Sequence, residues 1–220
     1  MIFKINGDII GNDWKEVYDW FGIENTCPSD VLKALAEMPD GDRLQVKINS
    51  GGGDVMAGQE IYSVLRARND VDIEVESIAA SAASIIAMAG PSTISPVGMI
   101  MIHDVSTRCG GNKNDFKKQA DTLARFDEAL ASAYVEKTGR TKEEILKMMD
   151  KETWLTAEKA VELGFINSIT NRENTGLSNQ IPGMKVTDEM LAQFNAYKNE
   201  EKRKAELKAE ILDGLDKFGA

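Results

Sequence analysis

The chain has 220 residues, of which 42% are hydrophobic and 28% are charged, a composition that suits one globular domain with an appendage. Its 26 lysines and arginines against 36 aspartates and glutamates give a formal net charge of −10, which disfavours nucleic acid and anionic membranes as partners. The N-terminus lacks the basic and apolar regions of a signal peptide, and no membrane-spanning apolar run occurs. Cys27 and Cys109 have neither disulfide-framework nor metal-site spacing, so we predict a cytoplasmic protein without metal or cofactor.

A strand, a glycine turn and a helix are predicted in succession from residue 43. The segment RLQVKIN (43–49) alternates apolar and polar residues, as a strand with one buried face does. The glycines at 51–53 then allow positive φ and a close backbone approach. Asp54 is the predicted N-cap of the next helix. The turn lacks a Walker lysine and GxGxxG spacing, so it does not favour nucleotide binding.

A second junction between strand and helix is predicted near Ser81. VDIEVES (71–77) alternates as a strand, and the small and apolar run after it ends at Gly90 and Pro91, which stop helices. STIS and GMIMIH read as two further strands, with His103 at the end of the second. Strands that alternate with helices predict an α/β fold with parallel pairing, in which functional groups collect at the carboxyl ends of strands.

The remaining chain is predicted to be mostly helical. A long amphipathic helix covers 114–137, and two short helices follow, one opened by the capping box of TKEEILKMM and one by Thr156. FINSIT fits a closing strand. We therefore predict a domain over 1–170, a linker over 171–185 and a charged helical tail over 186–220. The tail is either a peripheral helix that docks on another subunit or a solvated extension.

The small and apolar segment SIAASAASIIAMAG (77–90) contains three serines and precedes the only histidine of the chain, which raises the question of nucleophilic catalysis. Serines among alanines usually serve packing, but a catalytic serine needs a nearby base, which here can only be His103. Ser81 opens its predicted helix, where the positive dipole end and free N–H groups favour a developing oxyanion. Ser84 lies one turn inside that helix, and Ser77 ends the preceding strand. Ser81 is therefore the strongest candidate.

Four segments carry a resemblance: INSGGGDVMAGQEIY, SIAASAASIIAMAG, MIMIHDV and ETWLTAEKAVELGFIN. In this order and at these separations they resemble the Clp protease proteolytic subunit (ClpP) family, and more specifically its phage and prophage branch of head-maturation proteases. The likeness covers about residues 2 to 169. It implies the ClpP/crotonase fold, a spiral of ββα units from which the helix at 114–137 protrudes as a handle.

The resemblance also implies roles for particular residues. Ser81 matches the family's nucleophile and His103 its general base. The third member of the triad falls on Glu152, where ClpP has aspartate, and Asp150 is the alternative. The backbone N–H groups of Gly53 and Ala82 match the oxyanion hole. This set describes a serine-type endopeptidase.

Partners follow from the same resemblance. It implies a homo-oligomer, with ring assembly, and a polypeptide substrate bound as an extended strand along DVSTRCGGNKND, the segment after His103. Phage capsid or scaffold protein and an AAA+ unfoldase are further expected partners, in the cytoplasm of a bacterial or phage-infected cell.

Two other functions remain open at this point. One is a crotonase-like acyl-CoA hydratase or isomerase, which shares the fold and needs no pair of serine and histidine. The other is a non-catalytic assembly protein whose tail directs oligomerisation. Ser81 and His103 together favour the protease.

Overall fold

The computed structural model describes residues 1–170 and 202–204. The chain divides into two units, Met1–Arg172 and Glu173–Ala220. The predicted linker and nearly all of the predicted tail lie outside the described residues. Within the tail, residues 202–204 are helical and exposed.

One sheet of eight strands organises the first unit. Along its main path the order is β2-β1-β3-β4-β5-β8, and β6 pairs with β4 and with β7. All pairs are parallel except β6 with β7. The predicted α/β fold with parallel pairing is therefore confirmed. The strands are β1 (Ile2–Ile9), β2 (Asn25–Thr26), β3 (Leu44–Gly53), β4 (Val71–Ala80), β5 (Ser92–Ile94), β6 (Met99–Ile102), β7 (Thr153–Thr156) and β8 (Ser168–Ile169).

Helices connect the strands except β5 and β6, which are joined by a turn, and a 3₁₀ turn (Asn12–Trp14) precedes the first helix. They are α1 (Lys15–Phe21), α2 (Pro28–Glu37), α3 (Val55–Arg66), α4 (Ala82–Ala87), α5 (Lys113–Thr138), α6 (Lys142–Asp150) and α7 (Ala157–Glu162). The predicted caps are present: Asp54 accepts the N–H of Ala57 at 2.7 Å, and Thr141 accepts that of Glu144 at 3.2 Å. No helix within the described residues has the length and apolar character that a membrane span requires.

The sheet has one apolar and one charged face around its centre. The inward residues of β3 and β4 are fully buried against α3, as the alternation predicts: Leu44, Val46, Ile48, Val71, Ile73 and Val75. On the other face Lys47 of β3 pairs with Glu74 and Glu76 of β4 at 3.3 and 2.9 Å. Burial on one side only fixes the strand register, because a slip by one residue would expose the whole apolar set.

The long helix α5 is buried only in its second half. Its buried residues are Leu130, Ala131, Ala133 and Tyr134, whereas Phe116 in the first turn is 50% exposed. The first half thus projects from the sheet in the manner of a handle. The preceding segment, 103–112, contains no strand. A strand is defined by pairing, and within residues 1–170 no neighbouring strand lies alongside this segment.

The glycine turn brings three chain segments together. Gly52 and Gly53 have φ of 100° and 148°, which side-chain-bearing residues rarely adopt. A Cβ on Gly53 would lie 2.1 Å from the carbonyl oxygen of Ile9, and one on Gly52 would lie 2.7 Å from that of Ala80. Nothing lies within 4 Å of the corresponding position on Gly51. The close approach predicted for this turn is therefore made by Gly52 and Gly53.

Replacing Gly53 by alanine should lower the free energy of unfolding by more than about 2 kcal/mol, because the methyl group clashes with backbone and the φ is unfavourable. Urea unfolding followed by circular dichroism measures this loss. Gly51→Ala is the matched control and should change stability by less than about 1 kcal/mol. Equal losses in the two variants would contradict the role given to Gly53.

Ser84 is a packing residue that supports the junction between β4 and α4. It is completely buried, and its Oγ lies 2.7 Å from the carbonyl oxygen of Ser81 and 2.8 Å from the hydroxyl of Tyr134. A hydroxyl has one proton, so Ser84 donates to Ser81 and accepts from Tyr134. Burial raises the pKa of Tyr134, which stays protonated as this donor role requires.

Ser84→Ala should cost about 1–3 kcal/mol of unfolding free energy, because it leaves the buried Tyr134 hydroxyl without an acceptor. Adding Tyr134→Phe removes that orphaned hydroxyl. The double variant should therefore be more stable than the sum of the two single losses predicts, by about 0.5 kcal/mol or more in a double-mutant cycle. Strictly additive losses of unfolding free energy would refute the hydrogen bond between Tyr134 and Ser84.

Candidate active site

Ser81 occupies a strained turn between β4 and α4. It directly follows the last strand residue and is the N-cap of the helix, with φ 54° and ψ −125°. Such backbone angles cost a serine about 1–3 kcal/mol and persist only where the surroundings impose them. Here the N–H of Ser81 donates to the carbonyl of Met101 at 2.9 Å, and Ser84 holds its carbonyl. The turn is thereby fixed at both ends.

His103 directly follows β6, which pairs in parallel with β4. The register sets Ala80 opposite Met101, so the carboxyl ends of the two strands lie side by side. His103 Nε2 and Ser81 Oγ are 2.7 Å apart, within hydrogen-bond distance, and both side chains are partly buried. With the ring proton on Nδ1, Nε2 accepts the hydroxyl proton of Ser81. The structure thus brings together the two residues singled out in the sequence.

Gly53 and Ala82 line the same small cavity, of about 60 Å³, as Ser81 and His103. Ala82 is the first residue of α4, where backbone N–H groups lack intrahelical acceptors. The glycine turn packs tightly against the serine, since a Cβ on Gly52 would lie 2.7 Å from the Cβ of Ser81. Both predicted oxyanion-hole residues therefore line the cavity that also contains Ser81 and His103.

Glu152 makes no hydrogen bond to His103. The antiparallel ladder of β6 and β7 ends with Ile102 opposite Thr153, and His103 and Glu152 are the residues directly beyond that pair on the two strands. Glu152 has a positive φ of 49°, and its Oε1 accepts the indole N–H of Trp154 at 3.1 Å. Among the described residues, no hydrogen bond or ion pair joins its carboxylate to His103.

Asp127 of α5 is a nearby acid that the sequence pattern does not reveal. Its carboxylate accepts the N–H of Val105, two residues after His103, at 2.7 Å. Burial raises the pKa of Asp127, while the Val105 N–H and the charge of His103 act in the opposite direction. Burial, reinforced by the charges of Asp127 and Asp150, also raises the pKa of Asp104. Since Asp127 occupies an ordinary polar position in the helix pattern, no sequence signal marks it.

Comparison with known proteins agrees with this geometry. The Clp protease family model matches residues 23–173, which include every predicted site residue. The chain is 32% identical over 154 residues to ATP-dependent Clp protease proteolytic subunit 2 of Rhodococcus jostii, covering 68% of this chain and 78% of the relative. It is 34% identical over 151 residues to proteolytic subunit 1 of Corynebacterium jeikeium, covering 67% and 80%. Proteolytic subunit 2 of Corynebacterium efficiens is 31% identical over 161 residues, or 71% of this chain and 80% of the relative.

These matches confirm the family, the fold and the class of enzyme, a serine-type endopeptidase, that were predicted from the sequence. The assignment to the phage branch stays a prediction. A match over more than half of the chain, with relatives above 30% identity, leaves one conclusion. The chain belongs to the Clp protease family.

Proposed function

We propose that this chain cleaves peptide bonds with Ser81 as nucleophile and His103 as general base. One observation carries the proposal, the 2.7 Å separation of Ser81 Oγ and His103 Nε2 at the carboxyl edge of the sheet. A serine hydroxyl becomes an effective nucleophile when an imidazole within this distance takes its proton. The cavity beside the pair leaves room for a substrate carbonyl.

The reaction proceeds through four proton transfers at His103, two in acylation and two in deacylation. Ser81 Oγ attacks the carbonyl carbon of the scissile bond as its proton moves to Nε2, which forms a tetrahedral intermediate. The imidazolium then gives that proton to the leaving amine as the C–N bond breaks, and an acyl-enzyme ester remains. Water, activated by the same nitrogen, hydrolyses the ester and restores the serine hydroxyl.

Backbone N–H groups of Gly53 and Ala82 are proposed to stabilise the oxyanion of that intermediate. Both residues line the cavity that contains Ser81 and His103. Fixed donors of this kind need no reorganisation as charge develops, and removing one such donor in other proteases costs about 10²–10³ in rate. Glycine at position 53 supports this role, because it has no side chain to obstruct its N–H.

Glu152 is proposed as the carboxylate that orients His103. Its position next to Thr153, the residue paired with Ile102 at the end of the β6–β7 ladder, supports this role, and its exposed side chain has room to turn. To accept the Nδ1 proton its carboxylate must leave the indole of Trp154. Asp150, the alternative, is exposed at the end of α6, and Asp127 is already bonded to Val105.

The proposed substrate is a polypeptide in extended form. The segment at 103–112 contains no strand and is exposed from residue 106 onward. Its backbone can therefore pair with a substrate strand by β-augmentation, next to the hydroxyl. The relatives are named as ATP-dependent proteolytic subunits. On that basis we propose a homo-oligomeric ring in the cytoplasm that receives substrate from an AAA+ ATPase.

The finer assignment, cleavage of capsid or scaffold protein during phage head maturation, rests on the motif resemblance described above. Phage head maturation and cellular protein turnover make different demands on the enzyme. Purified oligomer that digests an assembled prohead or scaffold protein without an ATPase supports the phage role. Digestion of folded substrates only in the presence of an unfoldase and ATP argues for cellular protein turnover.

Ser81→Ala and His103→Ala should each lower kcat/KM for peptide cleavage by about 10³-fold or more, because the two side chains act as a unit. A fluorophosphonate probe, located by mass spectrometry, should modify Ser81 in the unmodified chain and nothing in Ser81→Ala. Ser77→Ala is the matched control, since Ser77 is exposed and only four residues away. Undiminished cleavage by Ser81→Ala would end the assignment. An unmodified chain that takes no label but converts an acyl-CoA thioester would favour crotonase chemistry.

Glu152→Gln should lower kcat by about 10²-fold or more with little change in KM, because the amide cannot stabilise the imidazolium. Glu152→Asp should retain more activity than Glu152→Gln, since it keeps the charge. Asp150→Asn is the matched control and should cost less than about threefold. If Asp127→Asn rather than Glu152→Gln abolishes turnover, Asp127 is the carboxylate that orients His103.

A further inference from the structure

We propose that a groove between the glycine turn and α1 is a subsite for a large apolar or aromatic side chain of the substrate. This inference rests on the proposed function, because it assigns specificity to the same protease site. The groove lies at the carboxyl ends of β1 and β3. The serine and histidine lie at the carboxyl ends of β4 and β6, so the groove and the catalytic pair share one edge of the sheet.

The groove has the size and shape of a ligand site. Its volume is about 620 Å³, within the 300–1,000 Å³ typical of pockets that bind small molecules or side chains. Trp14 and Tyr18 line it together with the turn at 51–53. By contrast, the cavity at Ser81 measures only about 60 Å³ and holds little beyond the reacting carbonyl group.

The glycine turn connects the groove to the catalytic centre. Gly53 lines both the groove and the small cavity that contains Ser81 and His103. Gly52 lines the groove and sits so close to the serine that a Cβ on it would lie 2.7 Å from Ser81 Cβ. An extended peptide advances about 3.3 Å per residue and points alternate side chains to opposite sides. A side chain within about three residues of the scissile bond therefore reaches the groove.

The lining selects for apolar groups. It offers the aromatic rings of Trp14 and Tyr18, and the glycine turn presents backbone without side chains. Ile9 and Ile10 also line it, but they are almost completely buried and add little apolar surface. The carboxylate of Asp54 is occupied by the N–H of Ala57, and Asp8 is exposed at the strand end. The charge nearest the groove is thus negative, which disfavours an acidic side chain there. A phenylalanine or leucine of the substrate fits this chemistry.

Trp14 is the residue on which the subsite depends. Its side chain is 55% exposed, although burying a large aromatic group would be favourable, so part of its apolar surface is available to a ligand. Its backbone N–H is held by the carbonyl of Gly11 at 3.1 Å, which fixes the start of α1. Trp20, which lies on α1, is 70% exposed and does not line the groove. It provides the matched control.

The test uses peptides in which one position, from three residues before to three after the cleavage site, is alanine, phenylalanine or glutamate. At one of these positions the unmodified enzyme should prefer phenylalanine to alanine by about tenfold or more in kcat/KM. Trp14→Ala should reduce this ratio to within about threefold of unity, and Tyr18→Ala should reduce it as well. Trp20→Ala should retain the ratio of the unmodified enzyme. Using a ratio cancels any general change in activity.

Three results would overturn the subsite. They are an unchanged ratio in both groove variants, the same decrease in Trp20→Ala as in Trp14→Ala, and a native mass showing that Trp14→Ala dissociates the oligomer while the ratio holds. The last result would make the groove a subunit contact. Fluorophosphonate labelling of each variant shows whether its site is folded. Failure of the proposed function is distinct, because the unmodified enzyme would then take no label at Ser81.

Discussion

Parallel pairing of β4 with β6 is the constraint on which the active site depends. Neither Ser81 nor His103 belongs to a strand, but each is the first residue after one, and the pairing of Ala80 with Met101 carries both to the same point. The resulting contact of 2.7 Å is a consequence of backbone register rather than of side-chain adaptation. A shift of either strand by one residue would move its reactive group to the opposite face of the sheet.

Around this constraint the chain maintains a local conformation that is unfavourable by itself. The positive φ of Ser81 is held by hydrogen bonds to Met101 and Ser84, and Ser84 is in turn held by the buried Tyr134 of α5. The tightly packed core of the first unit therefore supplies the free energy that keeps the nucleophile in its turn. The buried second half of α5 thus supports the active site through Tyr134, while its first half is exposed.

Much of this arrangement could be predicted from residue 43 onward, because alternation and capping signals are local. The strand before the glycines, the junction at Ser81 and the caps at Asp54 and Thr141 follow from such signals. Within the first 42 residues, α1 escaped prediction because it buries none of its residues, so its sequence has no inward face to detect. The extension of β3 through the glycines depends on its pairing with β1, a contact distant in sequence. The bonding of Glu152 to Trp154, and of Asp127 to Val105, likewise depends on tertiary structure that no local pattern encodes.

The glycine turn lies between the catalytic centre and the proposed substrate groove, so it separates bond cleavage from substrate preference. Because Gly52 and Gly53 have no room for a methyl group, the wall that faces the nucleophile offers evolution or design almost no freedom. The groove is also lined by Trp14, directly before α1, and by Tyr18 of α1, a helix that contributes nothing to the buried core. Preference for one polypeptide over another can therefore be rewritten at and just before that short helix, while the residues that break the bond stay unchanged.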